Sequence, residues 1–422
     1  MGGDARPRIT GMAPARAVPD TERRARLARR HHVAPQHRAP DVVTAARDVV
    51  ALHATDPSTV YLSALARIDD VEVADVRRAL EDERSLVRDL AMRRTVFALP
   101  PDALDPVQAA VGDRVARAER KALVRDVERH GLRPDGARWL DDAAAQVLDL
   151  LADDRPRSTS ELREELPALA GSYAQGVGTT WESRVQVGPR LMAVLSACGL
   201  VVRGPSDGHW RLPRHRWIRT ESWTGAARRP WSERDGVAWL VERWLRAFGP
   251  GTDRDLKWWT GTTLGLVRRA LEDVDAVEVA LDEGTGWLLP DDLDPEPDVE
   301  PWAALLPPLD PTTMGWHGRE WYLSGARAVD VVDSAGNAGP TAWWDGRVVG
   351  GWRQDDHGVV ELQGLEVMGR EARAALEREA ERVTAWCHGV RVMLTHPTPL
   401  ARRLAAPPEP PSPPGGPAPL RG

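Results

Sequence analysis

LSACGLVVRGPSDGHWRLP, residues 195–213, closes a helix and then builds a hairpin. Leu195 to Cys198 end an apolar helical run, Gly199 stops it, LVVRG reads as a strand, PSDG as the turn and HWRLP as the returning strand. Upstream, LDDAAAQVLDLLADD (140–154) has helical periodicity. STSELREEL (158–166) opens a second helix with Ser158 or Ser160 as N-cap, and a third spans about residues 183–197. Three helices and a hairpin follow the order of a winged helix-turn-helix, whose third helix enters a major groove while the wing reaches the backbone.

The same order recurs downstream. VAWLVERWLRAF (237–248), DRDLKWW (253–259) and LGLVRRALED (264–273) predict three helices, and VEVAL, EGTG and WLL (277–289) a hairpin. Nearer the N-terminus, Val42, Val43, Ala46, Val49, Val50 and His53 recur at helical spacing, a second helix lies around Val73 to Leu80, and LVRDLAMRRTVFAL (86–99) reads as strands. After residue 302, AWWDGRVVGGW and GVVEL alternate as strands before the helix REARAALEREAERVTAWC (370–387).

The predicted fold class is therefore α+β: tandem winged helix-turn-helix units with a C-terminal α+β domain. The expected divisions are a disordered 1–21, a winged-helix-like unit at 22–135, further units at 136–230 and 231–301, an α+β domain at 302–404, and a disordered proline-rich tail at 405–422.

Composition narrows the function. The 422 residues are 42% hydrophobic and 28% charged, and the longest apolar-to-small run, Leu191 to Val202, falls short of the roughly 20 residues that span a bilayer. With no signal-like segment, a cytoplasmic bacterial protein is expected, nucleoid-associated when bound to DNA. Two cysteines, Cys198 and Cys387, cannot build a disulfide framework or a four-cysteine zinc site, and no P-loop, H-E-x-x-H or G-x-S-x-G occurs. No cofactor and no metal are expected.

The net charge of −7 conceals an uneven distribution. Residues 282–300 carry eight acids and no base, so the rest of the chain is close to neutral, whereas residues 203–234 carry eight arginines against three acids. A basic patch of this density suits phosphate contact. The candidates are Arg184 and Arg190 on the presumed third helix, and Arg203, Arg211, Arg214 and Arg216 around its wing. The alternative is a solvated arginine face.

Several stretches together resemble the winged-helix DNA-binding proteins that include the AlkZ-like interstrand-crosslink DNA glycosylases: VVALHATDPSTVYLSALAR (49–67), LVRDLAMRRTVFALP (86–100), LSACGLVVRG (195–204), RAFGPGTDRDLKWWTG (246–261), LLPPLDP (305–311) and WWDGRVVGGWR (343–353). The resemblance spans about residues 22–400. It implies a duplex DNA partner, no membrane, and a monomer that surrounds the duplex with several units. It also implies DNA contacts at Arg67, Arg93 and Arg94, and at Arg347 and Arg353 beside a hairpin that could probe the duplex.

In the active members the catalytic motif is Gln, an apolar residue, then Gln or Asp, and this chain places His53-Ala54-Thr55 there, followed by Asp56. By that resemblance His53, Thr55 and Asp56 are the catalytic candidates for excision of N7-alkylated purines. A histidine near its ordinary pKa would accept a proton from water at neutral pH, with Thr55 orienting the water and Asp56 holding the ring or facing the cationic sugar. Read locally, Asp56-Pro57 is instead a helix N-cap, and His53 a satisfied residue beside it. The rival function is DNA binding without catalysis, as a regulator or lesion sensor.

Overall fold

The arginine-rich run near the N-terminus forms α1 (Asp20–Arg30), and its charges are answered by the acidic stretch more than 250 residues away. Arg23 pairs with Glu283 at 2.7 Å, Arg26 and Arg30 with Asp292 at 2.9 and 2.7 Å, and Arg29 with Glu296 at 3.1 Å. With Asp291 held by Arg246, four of the loop's eight acids are thus paired within the molecule. The computed structural model describes residues 14–176, 178, 182–392 and 399–400. Residues 1–13 and the tail expected at 405–422 lie outside them. Residues 14–21 are not disordered, contrary to expectation: Ala15 and Val18 donate backbone hydrogen bonds to Glu278 and Ala280, and Val18 is buried, because the strand containing them offers an open edge.

In the first segment α2 (Val42–Asp48) is capped by Asp41, which accepts the Thr44 N–H at 2.8 Å. The helical spacing predicted through His53 stops there, since Val50 takes a left-handed φ of 69° and the chain turns into β1 (Leu52–His53). There follow α3 (Pro57–Leu65), α4 (Val73–Arg77), β2 (Val87–Leu90), β3 (Val96–Leu99), α5 (Leu104–Val107) and α6 (Asp113–Arg129). Sequence periodicity had shown neither α3 nor α6.

The second segment contains α7 (Gly136–Leu150) and α8 (Thr159–Glu165), then β4 (Ser172–Gln175), β5 (Ser183–Gln186), α9 (Val187–Ala197), β6 (Val201–Asp207), β7 (Arg214–Arg219) and α10 (Thr220–Thr224). Ser158 is the cap of α8, in a capping box with Glu161. Gly199 ends the α9 region at φ 68°. The hairpin turns later than its PSDG suggested, because β6 runs on through Ser206 and Asp207. It is also no isolated wing: β6 pairs with β2 at Arg88–Arg203, giving a five-stranded sheet in the order β1-β3-β2-β6-β7.

The third segment has α11 (Glu233–Phe248), α12 (Asp253–Thr260) and α13 (Leu264–Asp273), then the hairpin β8 (Val277–Leu281) and β9 (Gly284–Leu288), matching the predicted order. The fourth forms an antiparallel four-stranded sheet from β10 (Ala303–Leu306), β11 (Thr341–Trp344), β12 (Arg347–Gln354) and β13 (Val360–Gly364), with α14 (Gly325–Val331) inserted and α15 (Arg370–Cys387) packed on it.

The cores do not follow the expected divisions. One cluster of buried apolar side chains joins Leu52, Leu99, Trp244, Trp259, Leu306 and Trp343, so the first, third and fourth segments share an interior. A second, with Leu123, Leu140, Leu162, Leu191 and Trp217, gathers α6 to α9.

Candidate active site and nucleic-acid interface

Strand β1 carries His53 into the sheet opposite Phe97 of β3, with ring centroids 4.8 Å apart. At 2% exposure the imidazole is desolvated, and this burial, reinforced by the Arg93 charge, pushes its pKa down to about 3. The expected titration near neutrality is therefore absent: the ring stays neutral at physiological pH. Nδ1 accepts the Thr55 backbone N–H at 3.4 Å, which puts the ring proton on Nε2. No partner for Nε2 is found among the described residues.

Thr55 is exposed, and its Oγ1 accepts the Val96 N–H at 3.0 Å while Ala54 donates to the Val96 carbonyl at 2.8 Å. These two bonds fasten the motif to the β2–β3 hairpin. Asp56 is buried and caps α3, accepting from the Ser58 N–H at 3.1 Å and the Ser58 hydroxyl at 2.6 Å. The local N-cap reading of Asp56 is what the geometry displays.

One face of α3 and its exit explains Arg67. Thr59 donates to the Pro308 carbonyl, Ser63 to Asp310, and Arg67, wholly buried, makes a two-point pair with Asp310 at 2.7 and 2.8 Å. Burial alone would raise the Asp310 pKa, but the Arg67 charge and hydrogen bonds pull it below the ordinary carboxylate range. Arg67 also donates to Thr312, whose hydroxyl lies 3.0 Å from Nδ1 of buried His31. Arg67 is thus a strut between the first and fourth segments, out of reach of DNA.

The remaining arginine candidates divide by what holds them. Arg94 pairs with Glu119 of α6. Arg184 lies on β5, not on the third helix, and donates to Ser172 at 2.7 Å. Arg190 is on α9 but turns to Tyr173, Glu119 and Asp126. Arg211 donates to the Arg391 carbonyl at 2.9 Å, and Arg216 is answered by Glu161 and Asp207. Arg353 pairs with its cross-strand neighbour Glu361.

The turn Asp345-Gly346 is present, with both residues at positive φ, but Gly346 is buried against the Arg24 side chain. The tip of this hairpin is covered by α1 and does not project freely. The side chains of Arg93, Arg203, Arg214 and Arg347 have no hydrogen bond or ion pair among the described residues. Burial and the neighbouring Arg88 push the Arg203 pKa down to about 10.

Two residues escaped the sequence reading. Trp258 of α12 is half-buried, with the Arg93 guanidinium 4.3 Å and that of Arg319 5.2 Å from its ring centroid. The helical spacing of Leu256, Trp259 and Thr260, all buried, was the available signal that Trp258 looks outward from the core. Clefts of about 440 Å³ beside Cys198 and about 710 Å³ between β13 and α15 contain none of these residues.

No helix among the described residues is long and apolar enough to cross a membrane. No curated protein matches the chain. Among solved structures, the DNA glycosylase AlkZ of Streptomyces sahachiroi is similar at a TM-score of 0.68 and 19% identity, over 87% of this chain and 97% of that one, a likeness of fold. A family model described as DNA glycosylase AlkZ-like matches residues 46–386, taking in the HATD motif, both sheets and nearly all of α15. With most of its length inside that match, the chain belongs to the AlkZ-like DNA glycosylase family.

Proposed function

We propose that the protein hydrolyses the N-glycosidic bond of N7-alkylated purines in duplex DNA, including purines tied into crosslinks, and that His53 and Thr55 position the attacking water. The observation that carries this reading is a neutral, desolvated imidazole beside an exposed hydroxyl, both fixed by backbone hydrogen bonds. An N7-alkylpurine already bears positive charge. Its N9–C1′ bond breaks with the electron pair moving to the base, which leaves neutral without a general acid. Water then bonds to C1′ of the oxocarbenium-like sugar and releases its proton to solvent.

Such chemistry asks for oriented polar groups rather than a titrating base. The His53 Nε2–H can donate as a glutamine amide would, and the Thr55 hydroxyl can contact water while Oγ1 remains fixed by Val96. Asp56 keeps the turn in shape. In the same reading, residues 136–230 and 231–301 act as winged helix-turn-helix units on the duplex. The protein works as a monomer on nucleoid DNA in the cytoplasm.

The test is incubation of the purified protein with duplexes containing N7-methylguanine, followed by alkali. Strand breaks at the lesion support excision, and binding without breaks would make the protein a DNA-binding module.

A further inference from the structure

We infer that Arg93, Trp258 and Arg319 form a clamp for one phosphodiester of the DNA strand whose nucleotide lies at Thr55; this rests on the DNA-binding reading above. The clamp draws on three segments of the chain. Arg93 stands at the tip of the β2–β3 hairpin, Trp258 on α12, and Arg319 on the loop between β10 and α14. Nothing local in the sequence brings them together, yet both guanidinium groups lie over a single indole ring.

Two like charges are here held close without a carboxylate between them. Burial and the Arg319 charge push the Arg93 pKa down to about 10, and no acid offsets either effect. Of the two carboxylates on the same helix, Asp253 is paired with Arg268, and Asp255 is engaged by the N–H groups of His317, Gly318 and Thr252. Neighbouring Arg94, by contrast, has Glu119. Arg93 Nε is buried without a hydrogen-bond partner, and its terminal nitrogens have none among the described residues. An uncompensated pair of cations is costly to keep folded and is relieved by an anion.

The geometry is also prepared in advance. Arg319 donates from Nε to the Trp316 carbonyl at 3.2 Å and from one terminal nitrogen to the Gly336 carbonyl at 2.9 Å, and its side chain also hydrogen-bonds Tyr322, which together fix its plane without a carboxylate. Arg93 and Arg94 are consecutive non-glycine residues with φ of 54° and 62°, a conformation of higher energy that persists where surrounding contacts impose it. A planar guanidinium matches the two free oxygens of a phosphodiester.

The position fits the site. Val96, three residues after Arg93, holds both Ala54 and Thr55, so a phosphate on the clamp lies beside the HATD turn. Such a contact orients the sugar and adds counterion release to affinity, without regard to base sequence.

The experiment measures the binding of a short fluorescent duplex by the parent protein, Arg93→Gln, Arg93→Lys, Arg319→Gln and the exposed-surface control Arg378→Gln on α15 over a range of salt. Each glutamine variant should bind roughly ten- to hundredfold more weakly on unrelated duplexes and should lower the slope of log affinity against log salt by about 0.9. Arg93→Lys should recover most of that slope, and Arg378→Gln should match the parent. If loss of the Arg319 carbonyl contacts unfolds that variant, Arg93→Gln decides, since Arg93 makes no such bonds.

An unchanged slope in Arg93→Gln overturns the clamp even if the parent excises N7-methylguanine. A lowered slope in a parent background that excises nothing keeps the clamp and removes the glycosylase. No duplex binding by the parent overturns both. If inorganic phosphate at matched ionic strength stabilises the parent but not Arg93→Gln while the DNA slopes coincide, the site takes free phosphate and the strand clamp is refuted.

Discussion

Nδ1 of His53 accepts the backbone N–H of Thr55, so the two polar residues of the motif are locked to each other through the main chain. The lock fixes the tautomer, and burial fixes the charge. Excision should then be flat between pH 6 and 8, because the His53 pKa of about 3 lies far below that window. His53→Gln retains a neutral donor and should stay active. His53→Ala removes one positioned donor and should lose roughly 10²- to 10³-fold in single-turnover rate while keeping DNA affinity. A parent rate that drops below pH 6.5, with no such drop in His53→Gln, would return His53 to the role of a titrating base.

Much of the local grammar was legible, and the reason is that it is local. The Ser158–Glu161 box, the stop at Gly199 and the β8–β9 hairpin depend on residues within a few positions of one another. What escaped depends on distant partners. Thr59, Ser63 and Arg67 recur every fourth residue and could be read as one polar face, but only the fold brings Pro308 and Asp310 to it. The β2–β6 pairing and the cover that Arg24 places over Gly346 are likewise invisible to periodicity. Arginine counts misled for the same reason: Arg190 and Arg216 are basic in sequence and neutralised in space.

The Arg67–Asp310 pair makes a sharp stability prediction. Both side chains are fully buried, so removing either leaves a desolvated charge. Asp310→Ala and Arg67→Ala should each cost about 3–5 kcal/mol in urea unfolding, whereas a surface variant such as Arg138→Ala should fall within roughly 0.5 kcal/mol of the parent. Equal, small losses in all three would mean that water reaches the pair.

The wing arginines should not behave alike. Arg214 is exposed and without a partner among the described residues, while Arg216 lies between Glu161 and Asp207. Arg214→Ala should lower the salt slope of DNA binding by about 0.9, and Arg216→Ala by less than half as much. Equal slopes for the two variants would place the duplex away from β7.

Acid should unfold the protein through its histidines before its carboxylates. His31, His53 and His215 are each pushed down to about 3, with burial the largest cause in every case. Unfolded, each returns to about 6.5 and binds a proton that the native state refuses. Their contribution is fully present above pH 6.5 and is lost progressively as pH falls toward 3. Asp89 works in the opposite sense: burial raises its pKa to about 6, so the native state gains a proton first and is favoured as pH drops from there toward 4. Three histidines outweigh one aspartate, and stability should fall between pH 6.5 and 4.5 by roughly 1 to 3 kcal/mol per unit. Urea unfolding across that range checks this. His31→Gln, which keeps a neutral side chain between Thr312 and the Ala247 carbonyl, should reduce the dependence by about one proton. A curve that is level down to pH 4.5, or one that His31→Gln leaves unaltered, would show that these rings ionise without disturbing the native state.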